Sequence, residues 1–383
     1  MNHTRKKLVD ELMQEQELGA LIFWRPEELV MMLGYYPLWG LSFLVYTNDE
    51  KPVLFVPQAE PDDVLPPGIE IKKFPWGELS PINPWNVLFE EIQKVLDSKN
   101  ITGKKISFIQ ERGGTTPCRM SGETPLLPEN LINSLLKINN GNFKECDGPL
   151  LSLFEFKTED DLKGIKIAHK VVGKAVAVFE KNAVPGMTEA RLAALIEFEI
   201  ATAMEDSAIF SSKGWPQVQS GTNLVYGGRF NRSTAKTISN GDHVMLELAA
   251  CVNGYWVDIT RTIAVGETND TQKEIFKTVQ EAQQLAIKTI RPGISMAAID
   301  TIARTYIENA GYGKFFNHAL GHHVGFRYHD AGQGFSPFSA GILKEGMVLT
   351  VEPGIYGEEL KSGVRIEDNL LVTKDGYELL SDY

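Results

Sequence analysis

Short apolar runs alternate with helical patterns in the first 155 residues of the 383-residue chain. Proline and glycine are scattered between these segments, and no histidine lies between Thr4 and Ala168. Alternating strands and helices are typical of α/β structure, so residues 1–155 are predicted to form an α/β domain that supports the chemistry of another region. The predicted strands are 51–57, 69–74 and 105–110, and the predicted helices are 88–96 and 130–138.

One stretch in this region, 29–46, carries no charge over 18 residues and reaches the lower limit for a membrane-spanning helix. Pro37 lies inside it, with Gly34 and Gly40 on either side. Because these residues break helices, the pattern favours the end of a helix, a turn and a buried strand at 41–46. No membrane partner is therefore expected.

The second region, 156–383, opens with a long helical pattern whose acidic first turn follows Thr158. An internal repeat then appears at an offset of 107 residues, and each copy places a Pro-Gly turn and a Thr or Ser N-cap before an amphipathic helix. Two copies predict a domain with two similar halves. The copies are Pro185-Gly186-Met187-Thr188 with Leu192, Leu195, Ile196 and Ile200, and Pro292-Gly293-Ile294-Ser295 with Ile299, Ile302, Ala303 and Ile307.

Charge and cysteine content narrow the class of protein. The net charge of −12 is spread evenly, with 16 basic and 22 acidic residues in 1–157 and 22 basic and 28 acidic residues in the remainder. No basic half exists to neutralise phosphates, so no nucleic-acid partner is expected. Three widely separated cysteines, Cys118, Cys146 and Cys251, exclude a disulfide framework and fit a reducing compartment. The polar, basic first ten residues do not resemble a secretion signal, and a cytoplasmic location is predicted.

Two carboxylates interrupt apolar strand patterns on either side of a tight turn. Glu247 lies in the run 244–252 and Asp258 in the run 255–259, and Asn253-Gly254 between them is a strong signal for a type I′ hairpin. With that turn, Asp258 pairs with Ala249, so Glu247 and Asp258 share one face of the hairpin. Two buried carboxylates on one face repel each other, and a metal ion would resolve the repulsion.

The same anomaly recurs nearer the C-terminus. Glu352 ends an apolar strand, and Arg365 and Glu367 share a face of another. Any one of these carboxylates could simply lie on an edge strand or form an ion pair, and a single histidine could simply be a buried core residue. Four carboxylates in one region, together with four of the seven histidines within 12 residues, instead indicate a metal site. The histidines are His318, His322, His323 and His329. His318 and His322 are four residues apart, so they share one face in either a helix or a strand.

These stretches resemble the pita-bread metallohydrolases: methionine aminopeptidase, aminopeptidase P, prolidase and creatinase. The resemblance implies an α+β fold, in which a C-terminal pita-bread domain with a pseudo-two-fold curved antiparallel sheet follows a creatinase-like N-terminal α/β domain. The domain boundaries are then 1–155 and 156–383. The motifs that carry the resemblance are 254–262, 318–329, Val351-Glu352-Pro353-Gly354-Ile355-Tyr356 and Val364-Arg365-Ile366-Glu367-Asp368.

By this resemblance the metal ligands are Glu247, Asp258, His322, Glu352 and Glu367. The family has aspartate at the first of these positions, and the glutamate carboxylate reaches roughly 1.5 Å further. One of two ions is therefore expected to bind weakly. The donor set suits Mn, Co, Zn or Fe, with one or two divalent ions bound.

The resemblance also assigns catalytic roles. His318 and His329 border the substrate and stabilise the tetrahedral intermediate, and Glu352 shuttles a proton. Arg365 is expected to clamp the carboxylate of Glu247 or Glu367 without binding the metal itself. A further family histidine falls on Gly228, which departs from the pattern. His243 and His323 match no family role and are expected to be structural, and Arg261 is expected to form an ion pair.

The function implied is metal-dependent hydrolysis of a C–N bond, first of all in an Xaa-Pro peptide, by an aminopeptidase or dipeptidase. One alternative is a creatinase-like or ectoine-hydrolase-like amidohydrolase acting on a small amide, and another is a non-catalytic binding protein. A homodimer is also expected, because the uncharged aromatic stretch 35–39 is of a kind that is usually buried or at an interface. In such a dimer, the N-terminal domain of one subunit is expected to lie over the site of the other subunit.

Overall fold

The computed structural model describes residues 2–48, 51–76, 81–110, 129–228 and 232–383. It divides into two compact units, Met1–Phe154 and Glu155–Tyr383. Cys118 lies outside the described residues, and Cys146 and Cys251 are buried free thiols.

The first unit is built on a mixed five-stranded sheet with helices packed against it. The strands are ordered β4-β3-β2-β1-β5, and the pairs β1–β5 and β3–β4 are parallel. Apolar residues of α3 and α4 pack on β1, β2 and β3, which explains the helical and strand patterns in the sequence. The elements are α1 (His3–Glu15), β1 (Leu18–Phe23), α2 (Pro26–Leu33), β2 (Phe43–Tyr46), β3 (Val53–Pro57), β4 (Glu70–Phe74), α3 (Pro84–Ser98), β5 (Lys105–Ser107), α4 (Glu129–Lys137) and α5 (Asp147–Ser152).

The uncharged stretch 29–46 contains the predicted helix end, turn and buried strand. Helix α2 ends at Leu33, where Gly34 adopts a left-handed conformation with φ of 66°, and β2 is fully buried. No helix in the described ranges is long and apolar enough to cross a bilayer. Within the turn, Leu38 is 42% exposed and Trp39 is 54% exposed.

The described residues of the second unit form three small antiparallel sheets and four long helices. The sheets have the orders β6-β7-β8, β13-β12-β9 and β10-β11. The elements are α6 (Glu159–Asn182), α7 (Glu189–Thr202), β6 (Ser212–Ser220), β7 (His243–Val252), β8 (Tyr255–Ala264), α8 (Asp270–Ile287), α9 (Met296–Asn309), β9 (Val348–Val351), β10 (Gly354–Gly357), β11 (Ser362–Arg365), β12 (Asp368–Val372) and β13 (Tyr377–Leu379).

Two hydrophobic cores divide this unit into the two halves that the internal repeat predicts. One core joins α6 and α7 to the sheet β6-β7-β8, and the other joins α8 and α9 to strands β9 to β12. The repeated helices bury equivalent residues, namely Leu192, Ile196 and Ile200 in α7 and Ile299, Ala303 and Ile307 in α9.

The two repeated N-caps differ. The Thr188 side chain accepts a hydrogen bond from the backbone N–H of Arg191, as predicted. Ser295 occupies the N-cap of α9, but its side chain makes no capping hydrogen bond. The prediction of a Thr or Ser N-cap in each copy is confirmed, and both N-cap residues also form a backbone bridge, Thr188 with Thr237 and Ser295 with Ile342.

The hairpin β7–β8 has the predicted register. Asn253 and Gly254 both adopt positive φ, 51° and 87°, as a type I′ turn requires. Val252 lies opposite Tyr255, and Ala249 lies opposite Asp258. Because side chains alternate along a strand, this register places Glu247 and Asp258 on the same face.

A buried ion pair ties the start of α6 to the histidine-rich segment. The Lys157 ammonium lies 2.9 Å from an Asp330 carboxylate oxygen, and both side chains are fully buried. The same carboxylate accepts hydrogen bonds from the backbone N–H groups of Phe326 and Arg327. The backbone N–H of Asp330 in turn donates to the carbonyl of His323. The pair therefore fixes the loop on both sides of His329.

Replacing Lys157 by methionine should destabilise the second unit by about 3–5 kcal/mol, because Asp330 would be left as an unpaired buried charge. The matched control is Lys163→Met, which removes an exposed lysine that pairs with Asp160 on the same helix and should cost less than about 1 kcal/mol. Urea unfolding of both variants measures the difference. Equal destabilisation by the two substitutions would contradict the conclusion that the buried Lys157–Asp330 ion pair stabilises this unit.

Candidate active site

Strands β7 and β8 supply the first two carboxylates of the site. Glu247 and Asp258 are 6% and 2% exposed, and Thr260 lies directly opposite Glu247. Their apolar neighbours along each strand pack into the core of the first half, so the alternation of the strands leaves the polar residues on the opposite face. The predicted juxtaposition of the two carboxylates is confirmed.

His322 is positioned by backbone pairing with β9. Its N–H donates to the Thr350 side chain at 3.0 Å, and its carbonyl accepts from the N–H of Thr350 at 2.9 Å. The segment around His318 and His322 is neither helix nor regular strand, and Gly321 and His323 form only isolated bridges. The regular helix or strand for which the four-residue spacing was interpreted does not form in this segment, so a shared face of the two histidines stays a prediction.

The remaining carboxylates come from the ends of β9 and β11. Glu352 follows β9, where its N–H donates to the carbonyl of Leu320 at 2.8 Å. Glu367 follows β11, and its N–H donates to the carbonyl of Thr260 at 3.0 Å, which brings it to β8. We call Glu247, Asp258, Glu352 and Glu367 the carboxylate cluster.

The donor atoms of the cluster converge on His322. Its Nε2 atom lies 3.3 Å from Asp258 Oδ2 and 3.4 Å from Glu352 Oε1. Donor atoms of Glu247, Asp258 and Glu367 lie within 4.8 Å of one another, as do those of His322, Glu352 and Glu367. All five predicted metal ligands are thus brought together by elements that lie far apart in the sequence.

Two carboxylates of the cluster have oxygens without a hydrogen-bond partner among the described residues, Asp258 Oδ1 and Glu367 Oε1. Burial raises the pKa of both groups well above the usual range, and the charges of neighbouring carboxylates raise it further. Buried oxygens that lack a partner are costly in a folded protein. The site therefore contains two carboxylates that require a proton or a cation.

Glu247 has a different environment. Burial alone would raise its pKa, but the Arg365 guanidinium and hydrogen bonds from Thr260, Arg365 and Tyr328 outweigh burial, so the pKa is lowered. Arg365 Nη2 is in direct contact with Glu247 Oε2. Of the two carboxylates that the sequence offered as partners for Arg365, the structure places Glu247 against it.

Both histidines near the cluster have a defined tautomer. His322 Nδ1 faces the carbonyl of His323 at 2.9 Å, and His318 Nδ1 faces the carbonyl of Ala319 at 2.8 Å. A carbonyl oxygen only accepts, so each Nδ1 carries the proton and each Nε2 carries a lone pair in the neutral ring. The His322 lone pair points towards Asp258 and Glu352, as a metal ligand requires.

His318 is engaged by a tyrosine. Its Nε2 lies 3.0 Å from the Tyr356 hydroxyl, which also accepts from Arg365 Nη1 at 3.0 Å. Burial lowers the pKa of His318, so the ring is neutral at neutral pH. With its lone pair directed at Tyr356, the neutral His318 ring has no Nε2 proton to donate.

His329 lies at the exposed side of the site. Its ring contacts the ring of His322 at a centroid distance of 4.3 Å and the ring of Tyr328 at 4.2 Å. By contrast, His243 and His323 are buried, and burial lowers their pKa values to about 4 and about 3.

The position that lacks the family histidine is Gly228, where a side chain would require its neighbours to shift. A Cβ atom on Gly228 would collide with the side chain of Asn317 and approach the Tyr356 ring at 3.1 Å. Arg261, predicted to form an ion pair, does so with Asp368 at 2.9 Å.

Three residues of the site were not assigned from the sequence: Thr260, Tyr328 and Tyr356. Thr260 lies two residues after Asp258, and strand alternation could have placed it on the same face. Tyr356 belongs to a motif that was recognised, but its contacts with His318 and Arg365 depend on tertiary structure. Nothing in the local pattern around Tyr328 indicates that its hydroxyl reaches Glu247.

Comparisons with known proteins agree with this geometry. The family model described as Metallopeptidase family M24 matches residues 163–374. A Pyrococcus horikoshii relative named Xaa-Pro dipeptidase is 31% identical over 385 residues, covering 100% of this chain and 97% of its own length.

Solved structures lead to the same family. A prolidase from Pyrococcus horikoshii OT3 matches with a TM-score of 0.78 and 29% identity, covering 99% of this chain and 98% of its own. An Xaa-Pro dipeptidase from Bacillus anthracis matches with a TM-score of 0.80 and 26% identity, covering 99% and 97%. The chain is therefore a member of metallopeptidase family M24, an α+β metallopeptidase with the pita-bread fold that works with one or two divalent ions.

Proposed function

We propose that the protein hydrolyses Xaa-Pro dipeptides with a divalent ion held by Asp258, His322, Glu352 and Glu367. The observation that carries the proposal is the convergence of these four side chains, two of which have buried oxygens without a partner. The choice of substrate rests on the relatives named Xaa-Pro dipeptidase, which match over the full length of the chain.

The spacing of the donors fits a metal ion. Two ligands that each lie about 2.1 Å from an ion at tetrahedral angles are about 3.4 Å apart. The distances from His322 Nε2 to Asp258 and Glu352 are 3.3 and 3.4 Å. Three carboxylates with one imidazole suit Mn, Co, Zn or Fe, and we infer manganese as the first ion to test because oxygen donors predominate.

The proposed reaction combines the chemistry of a bound ion with proton transfer by Glu352. A divalent ion held at this site would act as a Lewis acid that polarises the scissile carbonyl, and it would lower the pKa of a water molecule. Glu352 is partly open to solvent and can accept a proton from the attacking water and deliver it to the proline nitrogen as the C–N bond breaks. The products are a free amino acid and proline.

We further propose that His329 donates to the oxygen that becomes negative in the tetrahedral intermediate. Its exposed position beside His322 leaves it accessible to a substrate. His318, predicted to share this role, is instead proposed to hold the Tyr356 hydroxyl, because its own Nε2 lone pair faces that group.

Assembly and location are part of the proposal. The exposed side chains of Leu38 and Trp39 lie on a turn that is fixed by hydrogen bonds from both backbone N–H groups to the Glu60 carboxylate, each 2.8 Å long. A fixed, exposed apolar pair supports a homodimer. The buried free thiols of Cys146 and Cys251 support a reducing compartment, the cytoplasm.

The manganese-loaded protein should cleave a dipeptide such as Ala-Pro, whereas Ala-Ala, the tripeptide Ala-Pro-Ala, creatine and ectoine should be poor substrates. The activity is measured as the amount of free proline released, which is detected by chromatography. Preferential cleavage of creatine or ectoine would favour a small-molecule amidohydrolase, and cleavage of the tripeptide would favour an aminopeptidase. Binding without turnover of any of them would favour a non-catalytic protein.

His329→Ala should lower kcat by about 10²–10³ with a small change in KM, because a donor used mainly in the transition state is lost. His3→Ala, which removes another exposed histidine in the other unit, is the control and should leave both constants unchanged. A His329→Ala change confined to KM would contradict the proposed role.

Asp258→Asn should abolish stabilisation by metal. At an ion concentration of 100 times Kd, binding adds about 2.7 kcal/mol to the stability of the unmodified protein, a rise in Tm of about 5–10 °C. The metal-stripped variant should be at least as stable as the stripped unmodified protein, because one of several repelling charges is removed. Asp375→Asn, at an exposed site, serves as control. An undiminished Tm rise in Asp258→Asn would exclude this ligand.

Trp39→Glu should shift the protein from dimer to monomer in sedimentation experiments, because a charge would be introduced into the proposed interface. Exposed Phe198→Glu, in the other unit, is the control and should leave the sedimentation coefficient unchanged. A monomeric unmodified protein would overturn the proposal.

A further inference from the structure

The carboxylate cluster is divided into two parts by its hydrogen bonds. Asp258 Oδ1 and Glu367 Oε1 have no partner among the described residues. Both oxygens of Glu247 have partners within the chain. The unmet demand for an external cation therefore falls on Asp258 and Glu367 rather than on Glu247.

Glu247 uses three of its roughly four lone-pair positions on protein donors. The Tyr328 hydroxyl donates to Oε1 at 3.0 Å, and the Thr260 hydroxyl donates to Oε2 at 2.6 Å. Arg365 Nη2 also donates to Oε2. A carboxylate held from both oxygens cannot chelate an ion without giving up one of these donors.

Arg365 depends on Glu247 for charge compensation. The guanidinium is always charged, and the residue is only 6% exposed. Its other hydrogen bonds go to neutral oxygens: the Gly227 carbonyl at 2.9 Å, the Tyr356 hydroxyl at 3.0 Å and the Thr260 hydroxyl at 2.8 Å. In the described part of the chain, Glu247 is the only carboxylate within hydrogen-bond distance of Arg365.

A second divalent ion at Glu247 would bring another positive charge close to this guanidinium. It would also compete with the guanidinium for the same carboxylate, and the donor group that contains Glu247 among the described residues, Glu247 with Asp258 and Glu367, includes no imidazole to compensate for the loss. At His322, by contrast, the ring offers a lone pair, and the distances from Nε2 to Asp258 Oδ2 and Glu352 Oε1 fit one ion.

We propose that the protein binds a single divalent ion, and that Glu247 is the internal counter-ion of Arg365 rather than a ligand of a second ion. The inference rests on the proposed function for the existence of the ion, and concerns how many ions bind. It replaces the sequence-based expectation of one tight and one weak ion.

Titration of Mn²⁺ into the metal-stripped, full-length protein tests the proposal by calorimetry, with elemental analysis after gel filtration. We expect one ion per chain, and the electron paramagnetic resonance spectrum at excess Mn²⁺ should show an isolated ion without exchange coupling. Two ions per chain, or the spectrum of a coupled pair, would overturn the proposal. These measurements need no substitution.

Glu247→Gln keeps the size and acceptor oxygen of the side chain but removes its charge. The folded variant should still bind one ion, with an affinity changed by less than about tenfold, the lower end of the range for lost outer-shell partners. Asp258→Asn, the matched loss of charge at a ligand, should lower the affinity by more than about 100-fold. Loss of an ion in folded Glu247→Gln would show that Glu247 is a ligand and overturn the proposal.

The stoichiometry can be separated from the proposed activity. A protein that binds one ion but leaves Xaa-Pro dipeptides intact would refute the proposed substrate and keep the inference. A protein that cleaves the dipeptide with two bound ions would support the proposed substrate and refute the inference of a single ion.

Discussion

Repulsion among buried carboxylates is the constraint on which the second unit depends. Glu247, Asp258 and Glu367 are all nearly inaccessible to solvent. Arg365 compensates the charge of Glu247, whereas burial and the neighbouring carboxylates disfavour the charged forms of Asp258 and Glu367. The fold holds them together because their strands are fixed by apolar residues on the opposite face. The site therefore stores an unfavourable interaction that binding of a cation relieves, and the affinity for metal arises from the same source as the instability of the metal-free state.

Each half of the second unit supplies part of this site. The hairpin β7–β8 of the first half contributes Asp258, while the second half contributes His322, Glu352 and Glu367. Hydrogen bonds connect the halves beside the cluster: the N–H of Glu367 donates to the Thr260 carbonyl, and the Asn369 side chain donates to the Asp258 carbonyl at 2.6 Å. The donors can converge only when both cores are formed, so metal binding reports on the folding of both halves.

Local rules predicted the features that depend on few residues. The Asn253-Gly254 turn determined the register of its hairpin, and the repeated Pro-Gly turns predicted two helices with equivalent buried faces. Local rules failed where distant residues decide the outcome. The four-residue spacing of His318 and His322 defines a face only in a regular helix or strand, and their segment forms neither. The partner of Arg365 depends on how β7, which carries Glu247, lies against β11, which carries Arg365 and is followed by Glu367.

The two departures from the family pattern, Glu247 and Gly228, belong to one connected region. Arg365 contacts Glu247 through one nitrogen and donates to the Gly227 carbonyl and the Tyr356 hydroxyl through another. A Cβ atom on Gly228 would approach the Tyr356 ring, so the absence of a side chain there and the position of Tyr356 are mutually dependent. A side chain at position 228 would move Asn317 and press on the ring of Tyr356, whose hydroxyl accepts a hydrogen bond from Arg365, the partner of Glu247. The two departures are thus linked through Arg365 and Tyr356.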